Sequence, residues 1–344
     1  MHHLHYRGRF APSPTGPLHF GSMVAAVGSF LQAKSRGGEW LVRMEDLDPP
    51  REVPGAADEI LRTLEAFGLH WDGAVMYQSR RRAAYETALE KLMAHAALYP
   101  CACSRREIAD SSVSGVDGPV YPGTCRGGIA LGRAPRAWRV TVDGRAVEFV
   151  DVLQGRWYRN LATDFGDFIV QRADGFFAYQ LAVVVDDAAQ GITEVVRGAD
   201  LIESTPRQIH LQDLLGLPTP DYVHLPVALN ARGEKLSKQT LAMPVDATRP
   251  QQLLLRVLQF LGQEPPAESA EASLDDFWRW AVVNWRVERI PPVPGVVVET
   301  PAMSQLEFQL GPQTDVRDFL QHQCRFKQRG VVCARLKADR TKRL

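Results

Sequence analysis

The sequence predicts an α/β protein built on a doubly wound parallel sheet. Short stretches of alternating apolar residues interleave with stretches of helical period, the pattern of repeated strand–helix units. Near the N-terminus a glycine- and proline-bearing loop runs straight into a helix, as at an anion-binding turn. The chain has 344 residues, 45% of them hydrophobic, enough for two or three domains and a sizeable core.

The loop spans Arg9 to Ser22 and reads RFAPSPTGPLHFGS. Gly16 and Gly21 remove a Cβ where the backbone must turn or approach a phosphate. Pro12, Pro14 and Pro17 fix φ and stiffen it. From Ser22 onward Met23, Val27, Phe30 and Leu31 recur at helical spacing, which places His19 one turn before a helix N-terminus, in reach of a phosphate oxygen. Trp40, Val42 and Met44 alternate as a strand that ends in Glu45 and Asp46. Helices follow, one with Ile60, Leu61, Leu64 and Phe67 on a face, another with Tyr85, Leu89 and Leu92.

From about Pro100 cysteines, glycines and prolines interrupt the pattern, and strand-like runs follow at 138–142 and 147–150, so this region reads as an insertion. The α/β pattern resumes with an apolar strand from Leu181 to Val185, a strand at Val195 and Val196, and a helix from Ser204 to Leu215 stopped by Gly216. A strand-like run, His224 to Leu229, leads through a turn at Gly233 into KLSKQ, Lys235 to Gln239. That position is the end of a sheet, where ligands of open α/β folds bind. A lysine on such a loop can neutralise charge building on a leaving pyrophosphate. Two amphipathic helices follow, one from Pro250 with Leu254, Val257, Leu258 and Leu261, the other capped by Ser273 with Phe277, Trp280 and Ala281; they are expected to pack behind the lysine loop. Beyond Ile290 no period is sustained, and a loosely ordered basic tail is expected.

Composition narrows the function classes. Net charge is zero, so any nucleic-acid contact must come from a local basic face. No long uninterrupted apolar stretch predicts a membrane span, and the lack of an apolar leader points to the cytoplasm. Of five cysteines, Cys101, Cys103 and Cys125 cluster in a loop-rich region. A structural disulfide is disfavoured there, and three thiolates suit tetrahedral Zn²⁺ with the fourth position open to Tyr121 or water.

The loop and KLSKQ together resemble the two nucleotide-binding signatures of class I aminoacyl-tRNA synthetases, and the flanking residues resemble the glutamyl branch. The second signature departs at Leu236 and Gln239, neither of which touches the two ammonium groups. The resemblance covers roughly residues 7–290 and implies a Rossmann-type catalytic domain split as 1–97 and 194–240. It further implies a zinc-bearing α+β insertion at 98–193 like an acceptor-binding domain, a helical module at 241–290, and a tail at 291–344 outside the likeness. It implies an L-glutamate pocket made by Arg9, Phe10, Ala11, Pro12, Ser13, Glu45, Tyr179 and Arg197. By charge, Glu45 suits the ammonium and the arginines the carboxylates. ATP, accompanied by Mg²⁺, would meet His19, Gly21, Lys235 and Lys238, with His19 and Lys238 catalytic.

The family's C-x-C and Y-x-x-x-C pattern matches Cys101, Cys103, Tyr121 and Cys125, implying one zinc per chain. Glutamyl-tRNA synthetases continue into a large helical anticodon domain, and nothing after Pro291 is expected to form one. The expected activity is therefore that of shortened relatives, which activate L-glutamate with ATP and transfer it to queuosine in the anticodon of tRNA(Asp), as a monomer. Two alternatives stay open: a truncated synthetase charging a tRNA 3′ end, and an idle RNA- or nucleotide-binding paralogue.

Overall fold

The structure, a computed structural model, describes residues 5–236 and 244–298. Strand β1 (Arg7–Phe10) leads through the first loop into helix α1 (Phe20–Lys34), which returns the chain to β2 (Glu39–Met44). β2 pairs in parallel with β1, and β3 (Met76–Tyr77) pairs in parallel with β2 after helix α2 (Ala56–Ala66). Helix α1 is buried along most of its length, and Gly28 explains how it gets so close to the sheet: a Cβ there would lie 2.5 Å from Leu225 Cδ1.

After α3 (Arg82–Ala94) the chain leaves this sheet. β4 (Leu98–Cys101), α4 (Arg105–Ser111), the hairpin β5 (Val113–Gly115) and β6 (Gly118–Val120), and β7 (Ala137–Val140) follow. β8 (Ala146–Asp151) and β9 (Gly155–Asn160) form a second hairpin, then come α5 (Leu161–Asp164) and β10 (Phe168–Gln171). β10, β7 and β4 make an antiparallel sheet.

Next come helix α6 (Tyr179–Ala189), β11 (Glu194–Gly198), α7 (Thr205–Leu215) and β12 (Asp221–Leu225). The apolar run 181–185, expected as a strand, is therefore the middle of a helix. Leu181, Ala182, Val183, Val184, Asp186 and Asp187 are all buried, so the helix shows no polar face and its period vanishes from the sequence. Gly216, at φ 64°, ends α7 as expected.

β11 and β12 pair in parallel, and β12 meets β8 at Tyr222 and Asp151. β11 runs beside β1: Thr193 N–H donates to Arg7 O at 2.9 Å, and Arg7 N–H to Thr193 Oγ1 at 3.0 Å. The strands therefore follow the order β3, β2, β1, then β11, β12, β8, β9. The chain winds outward from β1 to β3 in one direction and from β11 to β12 in the other, with the earlier hairpin β8–β9 added beyond β12, so the β1–β11 seam is the switch point where open α/β sheets bind ligands.

The run 224–229 is broken at Pro226, which cannot donate to a ladder. β13 (Val227–Leu229) is instead a separate strand, paired in parallel with β14 (Gly295–Val297). β14 corrects the expectation that no pattern survives Ile290. Helices α8 (Pro250–Phe260) and α9 (Leu274–Asn284) pack on α1 and α2. Trp278 Nε1–H donates to Phe67 O at 2.9 Å and Trp285 Nε1–H to Gln32 Oε1 at 2.8 Å, which fixes them to the sheet's first helix layer. Ser273 caps α9 by accepting from Asp276 N–H. The residues of the lysine loop from 237 to 243, Lys238 and Gln239 among them, and the tail from 299 lie outside the described residues.

Candidate active site

At the seam's carboxyl end lies an open cleft of about 590 Å³. Arg9 and Phe10 reach it from the end of β1, and Ala11, Pro12 and Ser13 from the loop beyond. Gly16, at φ 127°, makes the turn that brings this loop back toward α1. Glu45 follows β2 directly, and its N–H donates to Pro12 O at 2.9 Å, tying the two walls together. Tyr179 opens α6 and Arg197 lies in β11; both line the cleft, as do His19, Gly21 and Lys235. All the residues expected from the sequence to hold glutamate thus share one cavity. Of the expected phosphate ligands only Lys238 is outside the described residues.

The helix begins two residues earlier than its apolar period suggested, so His19 is the N-cap of α1 rather than a residue one turn before it. Its Nδ1 accepts from Ser22 N–H at 3.2 Å, which puts the proton of the neutral ring on Nε2. Gly21 is needed for close approach: a Cβ would lie 3.2 Å from the His19 ring and 3.5 Å from Leu236 O. Both flanks of the lysine segment are anchored near this motif. Leu236 N–H donates to Ala228 O at 2.8 Å and Val245 N–H to Leu18 O at 3.0 Å. Lys235 Nζ is ion-paired with Asp200.

Beneath the cleft Arg9 and Glu45 join two charged residues that sequence reasoning missed, Arg43 and Asp187. Asp187 Oδ1 accepts from Arg9 Nε at 3.0 Å and from Arg43 Nη1 at 2.7 Å. Arg43 is fully buried and also meets Gln190 Oε1 at 2.8 Å and Glu45 Oε1 at 3.5 Å. Burial works to raise the Asp187 carboxyl, but the guanidiniums of Arg43 and Arg9 overcome it and hold the pKa below its usual value. For Glu45 the balance goes the other way: burial pushes its pKa up against the pull of the same two arginines. Arg9, expected to fork onto a ligand carboxylate, already forks onto Asp187.

Arg197 is held on three sides. Its Nε donates to His224 Nε2 at 3.0 Å, Nη2 to Thr205 Oγ1 at 2.8 Å, and Nη1 to Tyr179 Oη at 3.3 Å. His224 Nδ1 meets Asp151 Oδ2 at 2.6 Å. Burial pushes the His224 pKa down to about 4, with Arg197 reinforcing and Asp151 opposing, so the ring is neutral at pH 7. Burial raises the Tyr179 hydroxyl, which stays a protonated donor. The one sequence signal for these supporting acids was the pair Asp186 and Asp187 closing an apolar run, since two adjacent acids after such a run need partners.

Elsewhere Cys101, Cys103 and Cys125 converge, their sulfurs all within 4.8 Å of one another. Tyr121 Oη lies 3.3 Å from Cys101 Sγ and 3.5 Å from Cys103 Sγ, and Cys103 and Cys125 sulfurs are 3.6 Å apart. Tetrahedral thiolates at a Zn–S distance of about 2.3 Å stand roughly 3.8 Å apart, so the donor set fits a metal ion of that size. Among the described residues, no helix is long and apolar enough to cross a membrane.

The family model for the catalytic domain of class I tRNA synthetases (E and Q) matches residues 5–272. A glutamyl-Q tRNA(Asp) synthetase of Chromobacterium violaceum is 60% identical over 289 residues, 84% of this chain and 96% of that protein. One from Dechloromonas aromatica is 60% identical over 83% of this chain and 96% of its own length. Among solved structures, a glutamate tRNA ligase from Elizabethkingia meningosepticum in complex with its amino acid superposes with a TM-score of 0.70 at 24% identity, covering 86% of this chain and 67% of that one; it speaks for the fold. With a strand order that reverses at a ligand cleft and a matching catalytic-domain model over most of its length, the chain belongs to the class I tRNA synthetases of the E and Q type, among the glutamyl-Q tRNA(Asp) synthetases.

Proposed function

We propose that the chain activates L-glutamate with ATP and transfers it to a hydroxyl of the queuosine ring in the tRNA(Asp) anticodon. The observation that carries this reading is 60% identity to proteins of that name across 96% of their length. In the first step a glutamate carboxylate attacks the α-phosphate and pyrophosphate leaves; in the second a queuosine hydroxyl attacks the adenylate carbonyl and AMP leaves. No protein nucleophile is needed, so positioning and charge stabilisation do the catalysis.

The cleft's chemistry supports the assignment of roles. Glu45, an acid among arginines, takes the ligand ammonium. Arg197 presents a cationic edge to its carboxylates, and Arg9, forked onto Asp187, adds positive charge at the same wall. Tyr179 and Ser13 add hydroxyls, and Phe10, Ala11 and Pro12 give the wall its contour. His19, Gly21, Lys235 and Lys238 meet the phosphates of ATP with its Mg²⁺. Cys101, Cys103, Cys125 and Tyr121 hold one zinc, which fixes the loops of the inserted segment 98–193 against which the RNA docks. The split catalytic domain is 1–97 with 194–240, and 241–290 braces it. The enzyme works in the cytoplasm, where charged tRNA is made and used.

The test supplies labelled glutamate and ATP with queuosine-containing tRNA(Asp), the same tRNA trimmed of its terminal adenosine, unmodified tRNA(Asp) and tRNA(Glu). Labelling persists on the trimmed tRNA and vanishes when guanosine replaces queuosine. Labelling that disappears with the terminal adenosine would assign the chain to ordinary 3′-end charging.

A further inference from the structure

The charges around Arg197 form a chain that crosses three neighbouring strands. Asp151 ends β8, His224 lies in β12 and Arg197 in β11; Arg197 and His224 are register partners, and Asp151 pairs with Tyr222. Asp151 is 1% exposed, His224 0% and Arg197 5%, so these contacts are shielded from bulk solvent. A guanidinium Nε–H can be received by a neutral imidazole only at a bare ring nitrogen. The 3.0 Å contact therefore requires His224 to carry its proton on Nδ1, facing Asp151 at 2.6 Å.

The other face of Asp151 is committed too. Its Oδ1 accepts from the backbone N–H groups of Leu153 at 3.0 Å and Gln154 at 2.8 Å. Asp151 thus cannot turn away, and as an anion it can only accept. We infer that Asp151 and His224 are positioning residues for substrate recognition: Asp151 fixes the His224 tautomer, and the bare Nε2 aims the Arg197 fork into the cleft at the glutamate carboxylate. The inference rests on the reading of Arg197 as a glutamate ligand.

Replacing Asp151 with Asn is the sharp perturbation. The N–H groups of Leu153 and Gln154 hold the amide oxygen at the Oδ1 position, which turns the NH₂ toward the His224 ring and toward the His224 backbone N–H, which donates to Oδ2 at 3.1 Å in the wild type. The ring must then accept at Nδ1 and carry its proton on Nε2, against the Arg197 Nε–H. A wrong tautomer behind intact geometry is the same fault that disables a catalytic histidine whose aspartate is made asparagine. His224→Gln, by contrast, keeps an acceptor for Arg197, whereas His224→Leu removes it.

Steady-state pyrophosphate release gives KM for glutamate and for ATP separately, with thermal melting run beside it. Asp151→Asn and His224→Leu are expected to raise the glutamate KM roughly 5- to 150-fold, the span of one misplaced buried polar contact. The ATP KM stays within about twofold, and His224→Gln stays near wild type by the same contact logic. If Asp151→Asn does not fold, the contrast between Leu and Gln at 224 reads the same contact. Unchanged glutamate KM in Asp151→Asn and His224→Leu overturns the positioning role. Arg197→Met separates the two levels: a raised glutamate KM there with no effect from Asp151 or His224 sinks only this inference, while no effect at Arg197 sinks the glutamate-site reading with it.

Discussion

Asp187→Asn tests whether the cleft's floor is held by charge. The cluster of Arg9, Arg43, Asp187 and Glu45 contains two cations and two anions, with Arg9 3% and Arg43 0% exposed. Asparagine keeps an oxygen for the contacts at 3.0 and 2.7 Å, but its NH₂ faces Arg9 Nη2 at 3.4 Å, donor against donor. The cluster is left with an uncompensated buried cation. Breaking a buried pair in this way costs about 3–5 kcal/mol. With an unfolding entropy of roughly 2.1 cal/mol/K per residue, the unit Met1–Glu299 loses about 1.6 °C of Tm per kcal/mol. Thermal melting should therefore fall by about 5–8 °C.

The sign with pH follows from the depressed pKa. Asp187 stabilises fully above its ordinary value of 3.8 and loses that contribution as pH falls through its folded value. The gap between wild type and Asp187→Asn should therefore be flat between neutral pH and mild acid, and should close only in strong acid. The assay is melting by circular dichroism across that range. A Tm loss below about 1.6 °C at pH 7, equivalent to under 1 kcal/mol, would mean that Gln190 and Glu45 suffice for Arg43, and the argument from charge balance would be wrong.

Three further outcomes are expected. Because burial raises the Glu45 pKa, glutamate recognition should weaken on acidification along a limb lying above the ordinary 4.5, as the carboxylate that meets the ammonium is protonated; a kcat/KM profile whose acid limb survives Glu45→Gln would refute the assignment. Purified protein should hold close to one zinc, lost in Cys101→Ser or Cys125→Ser, as elemental analysis would register, and protein prepared without chelator that carries none would refute the metal site. Lys238→Ala should fold normally yet lower kcat by about 10²–10³, the effect of removing one donor aimed at developing charge; near-normal adenylate formation would exclude its role at the phosphates.

What the sequence disclosed, and what it hid, divides along a physical line. The walls of the cleft are contiguous segments: Arg9 to Ser13 with His19 and Gly21, then Glu45 directly after a strand, then Arg197. Such segments carry their own turn chemistry and are readable one at a time. The floor is assembled from across the fold. Asp187 is 144 positions from Arg43, and His224 is 73 positions from Asp151. Nothing local to either acid announces its partner. Helices with one wet face, such as α2, were legible from period alone, with Ile60 and Leu64 buried and Asp58 and Glu59 in the first turn. Helix α6, buried almost all round, was not.

That misread helix is what brings the site together. Tyr179 and Asp187 lie eight residues apart. A strand would separate them by about 27 Å, whereas a helix separates them by about 12 Å. Tyr179, Val183 and Asp187 then follow one another at i, i+4 and i+8, along one side of α6. Only the helical spacing lets Tyr179 meet Arg197 at 3.3 Å on one side of the seam while Asp187 meets Arg9 at 3.0 Å across it. α6 thus links the two arginines at the switch point, one from β1 and one from β11, through a single rigid element. Its neighbours on the other side, α3 and the antiparallel sheet of β4, β7 and β10, share one apolar core with it. The packing of α3 and that sheet against α6 therefore bears on Tyr179 and Asp187 together, and through their contacts on Arg197 and Arg9.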